Sequence, residues 1–100
     1  MIEHLFNFIF TIEERKNIRA RSGKTEPWNT MRKAWILFAY MNDYSTRDIG
    51  WCTNRNNRQT RYLLEKAEEL YSVNDRELHI YIKQYEKKVA NACRVGSEVN

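Results

Sequence analysis

The stretch YSTRDIGWCTNRNNRQTRYLLEKA, residues 44–67, decides the expected fold of this 100-residue chain. Ser45-x-x-Asp48 resembles a capping box with Asp in place of Glu, and it opens a short helix. TNRN then forms a turn, and Asn56 or Asn57 caps a second, amphipathic helix. A short helix, a tight turn and an amphipathic helix predict a helix-turn-helix.

Apolar residues at helical spacing predict further helices on both sides of this unit. Thr11-x-x-Glu14 is a capping box that starts a short second helix, and MRKAWILFAYM, residues 31–41, forms the most hydrophobic and therefore central helix. Asn74-x-x-Glu77 caps a last helix. The residues expected to point inward include Ile2, Leu5, Phe6, Ile9, Trp35, Phe38, Ile49, Leu63, Leu64, Ala67, Tyr71, Leu78, Ile82 and Tyr85.

Composition favours a small helical protein. Hydrophobic residues make up 42% of the chain and charged residues 30%, which is typical of soluble globular domains. Three glycines and one proline leave few tight turns, so helices joined by short links are favoured. We predict an all-α, compact bundle of about five or six helices, with a single domain over residues 1–93 and a loose tail over residues 94–100.

The start of the chain and its hydropathy predict a cytoplasmic protein. MIEHLFNFIF lacks the basic region and cleavage site of a signal peptide, so it is expected to form the first core helix. No apolar run is long enough to span a membrane. Two cysteines fit a reducing compartment.

Positive charge is concentrated in the middle of the sequence. Residues 15–61 hold eleven lysines and arginines against three acids, a net of +8, whereas the rest of the chain holds six against ten, a net of −4. If the fold keeps this separation in space, one face attracts polyanions. A solvated, mixed surface is the alternative interpretation.

The helix after the turn begins with forked hydrogen-bond donors. In a helix-turn-helix, the N-terminal end of the second helix enters the DNA major groove. Arginine pairs bidentately with guanine there, and asparagine or glutamine pairs with adenine. Cations at a helix N-terminus are otherwise mildly unfavourable, so this pattern favours nucleic-acid binding over a merely solvated cap. The candidate DNA-binding residues of this segment are Arg55, Asn56, Asn57, Arg58, Gln59 and Arg61.

Three segments of the chain carry a resemblance to a DNA-binding family. TIEERKNIRARSGK runs from a short helix into a basic loop, MRKAWILFAYMNDYSTRDIG combines a long helix with a Ser-x-x-Asp-Ile-Gly segment, and TNRNNRQT follows. Over residues 1 to about 72 the chain resembles the C-terminal DNA-binding domain of the bacterial replication initiator DnaA. The family signature Gly-Gly-Arg-Asp-His-Thr-Thr-Val is altered, and only Thr60 keeps its residue.

The resemblance implies the family's fold and docking mode, in a bacterial or phage protein of replication or transcription control. It does not imply binding to the initiator's own DNA box, because the signature side chains differ. The basic loop would lie along phosphates or in the adjacent minor groove, and further residues would grip the backbone. The DNA-binding residues implied in this way are Arg19, Arg21, Lys24, Arg32, Lys33, Thr46, Arg47 and Thr60.

Stacking on a single strand is a further possibility for the three tryptophans. Trp35 lies in the core stripe, where packing is favoured, and Trp51 is expected to be half exposed. Trp28 lies beside the basic loop, which makes it the candidate for a test.

The sequence contains no pattern that predicts catalysis or a metal site. The cysteines and histidines lack metal-ligand spacing, adjacent acidic pairs diverge on a helix, and a nucleotide-binding lysine loop is missing. We predict a non-enzymatic protein without metal or cofactor that binds double-stranded DNA, with its oligomeric state open. The alternative is a small helical protein-interaction or regulatory module, with a protein partner, that has lost DNA binding.

Overall fold

The part of the chain that the structure describes consists of six helices and contains no strand. A computed structural model covers residues 1–21 and 25–99, with side chains described as far as residue 92. This confirms the predicted all-α bundle of about six helices. The helices are α1 (Ile2–Ile9), α2 (Ile12–Arg19), α3 (Trp28–Met41), α4 (Thr46–Cys52), α5 (Asn57–Ser72) and α6 (Arg76–Val99).

The central helix is α3, as its apolar sequence predicts. Between residues 31 and 39 every side chain is buried except the half-buried Lys33, and α3 contacts α2, α4, α5 and α6. Two rings of α3 form a cluster with rings from α1, from its C-cap and from α6, with neighbouring centroids 5.1–6.3 Å apart. These rings belong to Phe6, Phe10, Trp35, Phe38 and Tyr85.

The three turns that follow α3, α4 and α5 are closed in the same way, by a residue in the left-handed conformation just after the helix. Glycine is the usual residue there, but asparagine and aspartate also adopt this conformation. In each turn the next amide donates to a carbonyl five residues back, at 2.8–3.2 Å. A glycine-poor sequence can therefore make three tight links. The left-handed residues are Asp43 (φ 69°), Asn54 (φ 59°) and Asn74 (φ 59°).

The start of α6 differs from the expectation. Asn74 does not cap it, because Asn74 lies in the left-handed turn and the Asp75 carboxylate accepts the hydrogen bond from the Leu78 amide at 3.0 Å. The helix continues to Val99, so it includes all but the last residue of the predicted tail over residues 94–100. The helix can extend so far because residues 76–95 contain neither glycine nor proline.

The predicted helix-turn-helix consists of α4, a turn over residues 53–56, and α5. Ser45 caps α4 by accepting the Asp48 amide at 3.2 Å. Asn56, not Asn57, caps α5: its side chain accepts the Gln59 amide at 2.8 Å, and the Gln59 side chain accepts the Asn56 amide at 3.0 Å. Both helix starts are thus fixed by local hydrogen bonds.

Gly50 allows α4 and α5 to approach closely. A Cβ atom at this position would lie 2.5 Å from Thr60 Oγ1 and 2.6 Å from the carbonyl oxygen of Arg55. Thr60 is fully buried, and its hydroxyl donates to the Asn56 carbonyl at 2.9 Å. The missing side chain therefore sets the spacing between the two helices.

We expect Gly50→Ala to lower the free energy of unfolding by roughly 1–3 kcal/mol, because the added methyl group must displace backbone atoms. Helix propensity alone would favour alanine by about 1 kcal/mol, so the sign of the change is diagnostic. Urea denaturation followed by helical circular dichroism measures it. Asn91→Ala, at an exposed position of α6, is the control and should change stability by less than about 0.5 kcal/mol. A Gly50→Ala protein as stable as the parent would contradict the close approach.

Candidate nucleic-acid interface

The C-terminal end of α2 is held by a buried arginine of α3. Arg32 is 1% exposed. Its Nε donates to the Ile18 carbonyl at 2.7 Å and its Nη2 to the Asn17 carbonyl at 3.0 Å. These carbonyls lie at the negative end of the helix dipole, where a cation is favourable. These carbonyls therefore help to stabilise the buried charge of Arg32.

Two residues of the helix-turn-helix turn bind the same end of α2. Arg55 donates from Nη1 to the Ile18 carbonyl at 3.2 Å and from Nη2 to the Ala20 carbonyl at 2.7 Å. Asn54 donates from Nδ2 to the Arg19 carbonyl at 3.4 Å. Four consecutive carbonyls of α2 and its cap thus accept from three side chains. We call Arg32, Asn54 and Arg55 the carbonyl clasp.

Both arginines of the clasp remain charged at neutral pH. Burial lowers the pKa of Arg32 to about 10, with a smaller contribution from the nearby positive charge of Arg55. Burial also lowers the pKa of Arg55. Charged guanidinium groups form stronger hydrogen bonds to carbonyls than neutral donors do. The clasp therefore operates as a charge-assisted contact between α2, α3 and the turn.

Three of the predicted DNA contacts are engaged inside the protein. Arg32 and Thr60 are buried, so neither side chain is accessible in this structure for the DNA contact that the resemblance implied. Arg55 is half buried, and its guanidinium group donates to backbone carbonyls, including that of Thr53 at 2.7 Å. It is therefore engaged within the protein in this structure, whereas the sequence predicted a DNA contact at the rim. For Arg32 and Arg55, the acceptors include backbone carbonyls far along the chain, which no sequence pattern marks.

The clasp brings residues 19–21, the described start of the basic loop, against the helix-turn-helix turn. Between them lies a groove of about 540 Å³. Its walls contain the predicted residues Arg19, Arg21, Asn56 and Gln59, together with Trp51. Lys24, the remaining predicted loop residue, lies outside the described residues.

Exposed cations of α2, the basic loop, α4 and the start of α5 form no ion pairs with acids in the described part of the chain. Throughout residues 1–21 and 25–92, none of them forms an ion pair, and the ion pair that is present joins Lys66 to Glu69 at 3.7 Å on α5. Cations without acidic partners keep their full attraction for a polyanion. The exposed members are Arg19, Arg21, Arg47, Arg58 and Arg61, and Lys33 is half buried.

The amide side chains at the start of α5 present donors rather than acceptors. The oxygens of Asn56 and Gln59 accept in the capping box, and the Asn57 oxygen accepts from the Thr46 hydroxyl at 2.6 Å. Pairing with adenine needs the amide oxygen as well as the nitrogen. This arrangement favours donation to phosphate or base acceptors over the adenine pairing that the sequence suggested.

Other kinds of site find little support in the described residues. No three His, Cys, Asp or Glu side chains there come together as a metal site. Burial raises the pKa of Cys52 to about 11, so its thiol is protonated at neutral pH. In the same residues no helix is both long and apolar enough to cross a membrane.

Sequence reasoning missed two features of this surface. Asn54 was treated as turn residue only, and its contact with α2 has no local signal because the partner lies 35 residues away. Trp51 was expected to be half exposed but is 73% exposed. The exposure of Trp51 could have been predicted, because it lies two residues, or about 200° around the helix, from the inward-facing Ile49.

Comparisons of the chain with known protein families, with curated proteins and with solved structures found no match. Its function must therefore be argued from the geometry and charge of this surface.

We expect Arg32→Leu to lower the free energy of unfolding by roughly 1–3 kcal/mol, because the Asn17 carbonyl loses its side-chain donor and the Ile18 carbonyl keeps only Arg55. The loss should persist at high salt, because the hydrogen bonds to these carbonyls lie inside the protein. Urea unfolding at two salt concentrations tests both points. Lys33→Ala, the neighbouring cation on α3, is the control and should cost less than about 0.5 kcal/mol. Equal stability of the two variants would rule out the clasp as a stabilising contact.

Proposed function

We propose that the protein binds double-stranded DNA, with the start of α5 in the major groove and the basic loop on the backbone or in the adjacent minor groove. The observation that carries this proposal is the set of exposed, unpaired arginines on the end of α2, on α4 and on the first turns of α5. These elements are neighbours because the carbonyl clasp joins them.

Arginines at the start of α5 lower the stability of the helix, and this cost supports the binding of an anionic ligand there. Arg58 and Arg61 lie in the first two turns of α5, near the positive end of its dipole. A cation there is unfavourable by roughly 0.3–1 kcal/mol at an exposed site. Phosphate reverses the balance, since it pairs with the guanidinium groups and favours the helix N-terminus.

The resemblance to the DnaA C-terminal domain supports the same docking mode. In this proposal α4 lies across the backbone, with Arg47 and the half-buried Thr46 and Lys33 near phosphates. The altered signature of α5 implies a DNA sequence other than the initiator's. Arg58 is the best candidate for a base contact, because its guanidinium is exposed and forms no hydrogen bond or ion pair in the described residues.

Salt dependence tests the phosphate contacts. If each of the four exposed arginines other than Arg58 neutralises one phosphate, the logarithm of the affinity should fall with the logarithm of salt with a slope of about −3.6, or about 150-fold between 50 and 200 mM. Arg19→Ala and Arg21→Ala should each weaken binding to all duplexes alike and reduce the slope by about one. Lys87→Ala removes the same charge from α6 and should have little effect. Salt-independent binding would favour a protein-interaction module instead.

Selection from a random duplex library tests base reading. An arginine–guanine pair discriminates by roughly 1–3 kcal/mol against other bases. We therefore expect Arg58→Ala to lower affinity for the preferred duplex by roughly 5- to 150-fold. Affinity for random duplexes should change little, and stability should stay within about 0.5 kcal/mol because the side chain is exposed. Identical enriched sequences for the parent and the variant would show that Arg58 reads no base.

A further inference from the structure

Trp51 is an exposed aromatic residue that is held in a fixed position. Its side chain is 73% exposed on α4, and its Nε1 donates to Glu3 Oε1 of α1 at 3.3 Å. The tryptophan that the sequence favoured for stacking, Trp28, is half buried and packs against the core. The accessible indole is therefore on the helix-turn-helix side of the protein.

The groove beside Trp51 combines the chemistry that a nucleotide requires. Arg19 and Arg21 supply cations, and the amide groups of Asn54 and Gln59 supply donors. None of its described lining residues is acidic. Its volume of about 540 Å³ falls in the range of roughly 300–1,000 Å³ that is common for small-molecule sites. An anionic, planar ligand fits this combination of an aromatic wall with cations and amide donors.

We propose that this groove binds single-stranded nucleic acid, with an unpaired base stacked on Trp51 and its phosphates bound by Arg19 and Arg21. The proposal goes beyond duplex binding. The bases of a duplex stack on each other, so their faces cannot reach the indole, whereas an unpaired base can. Stacking on an aromatic side chain is tolerant of sequence because every base has a π-face.

The two binding modes share the basic loop and the amide side chains at the start of α5, but they differ in their use of Trp51 and Arg58. The lining of the groove includes Trp51 but neither Arg58 nor Arg61, which lie on the exposed face of α5. Substitutions at Trp51 should therefore change single-strand binding alone. Substitutions at Arg58 should change duplex reading alone, so the two proposals can fail separately.

The test uses fluorescence anisotropy with labelled oligothymidylate and a matched strand whose sugars carry no bases. Trp51→Ala should weaken oligothymidylate binding by roughly 5- to 150-fold, which corresponds to 1–3 kcal/mol for one stacked base. Trp51→Phe, which keeps a ring, should lose less. The baseless strand should bind the parent protein as weakly as oligothymidylate binds Trp51→Ala. Tyr62→Ala is the control, since it removes an aromatic side chain that is 60% exposed outside the groove.

Two results would overturn the proposal: unchanged oligothymidylate affinity in Trp51→Ala, or equal binding of the two strands by the parent protein. The comparison of strands needs no variant, so it decides the question even if Trp51→Ala folds poorly. Loss of duplex binding alongside Trp51-dependent single-strand binding would reject the duplex proposal and leave this one standing. Duplex binding without Trp51-dependent single-strand binding would reject the single-strand proposal alone.

Discussion

The contact between Arg32 and the end of α2 is the constraint on which this surface depends. Arg32 reaches the Ile18 carbonyl from the most buried helix of the fold, and Arg55 reaches the same oxygen from the turn between α4 and α5. Helix α3 and the turn between α4 and α5 are therefore both tied to the terminus of α2. A guanidinium group suits this place because it satisfies several carbonyls at once and complements the helix dipole.

The same device occurs elsewhere in the protein. Lys88 of α6 donates to the Ile9 carbonyl at the end of α1 at 2.7 Å, and Arg15 donates to the Asn7 carbonyl at 3.2 Å. Short helices expose a large share of unpaired carbonyls, so cations at their ends contribute more than they would to a long helix. The basic character of the sequence thus serves two purposes. Some cations close helix ends, and others are exposed on the surface, where the proposed nucleic-acid contacts lie.

The turn over residues 53–56 connects structure to proposed function. Asn54 supplies the left-handed conformation that ends α4, Arg55 joins the clasp, and Asn56 caps α5. Gly50 meanwhile keeps α4 close to α5. Each residue of this segment has a structural role, and together they fix the position of α5 relative to the basic loop. That spacing is what a protein would need to contact two parts of one nucleic acid.

The sequence by itself determined the helices, most of their caps and the core, because these depend on neighbours three or four residues apart. The capping boxes of α2 and α5, the buried Ile49 and the central α3 are all of this kind. Tertiary structure alone decided which arginines are internal. Arg32 and Arg55 bind backbone carbonyls 14 to 37 residues away, and a carbonyl is present at every residue, so no sequence pattern marks which one will accept. Arg58 and Arg61 differ from them in position and not in chemistry, and only the packing of α2 against α3 and the turn separates the two groups.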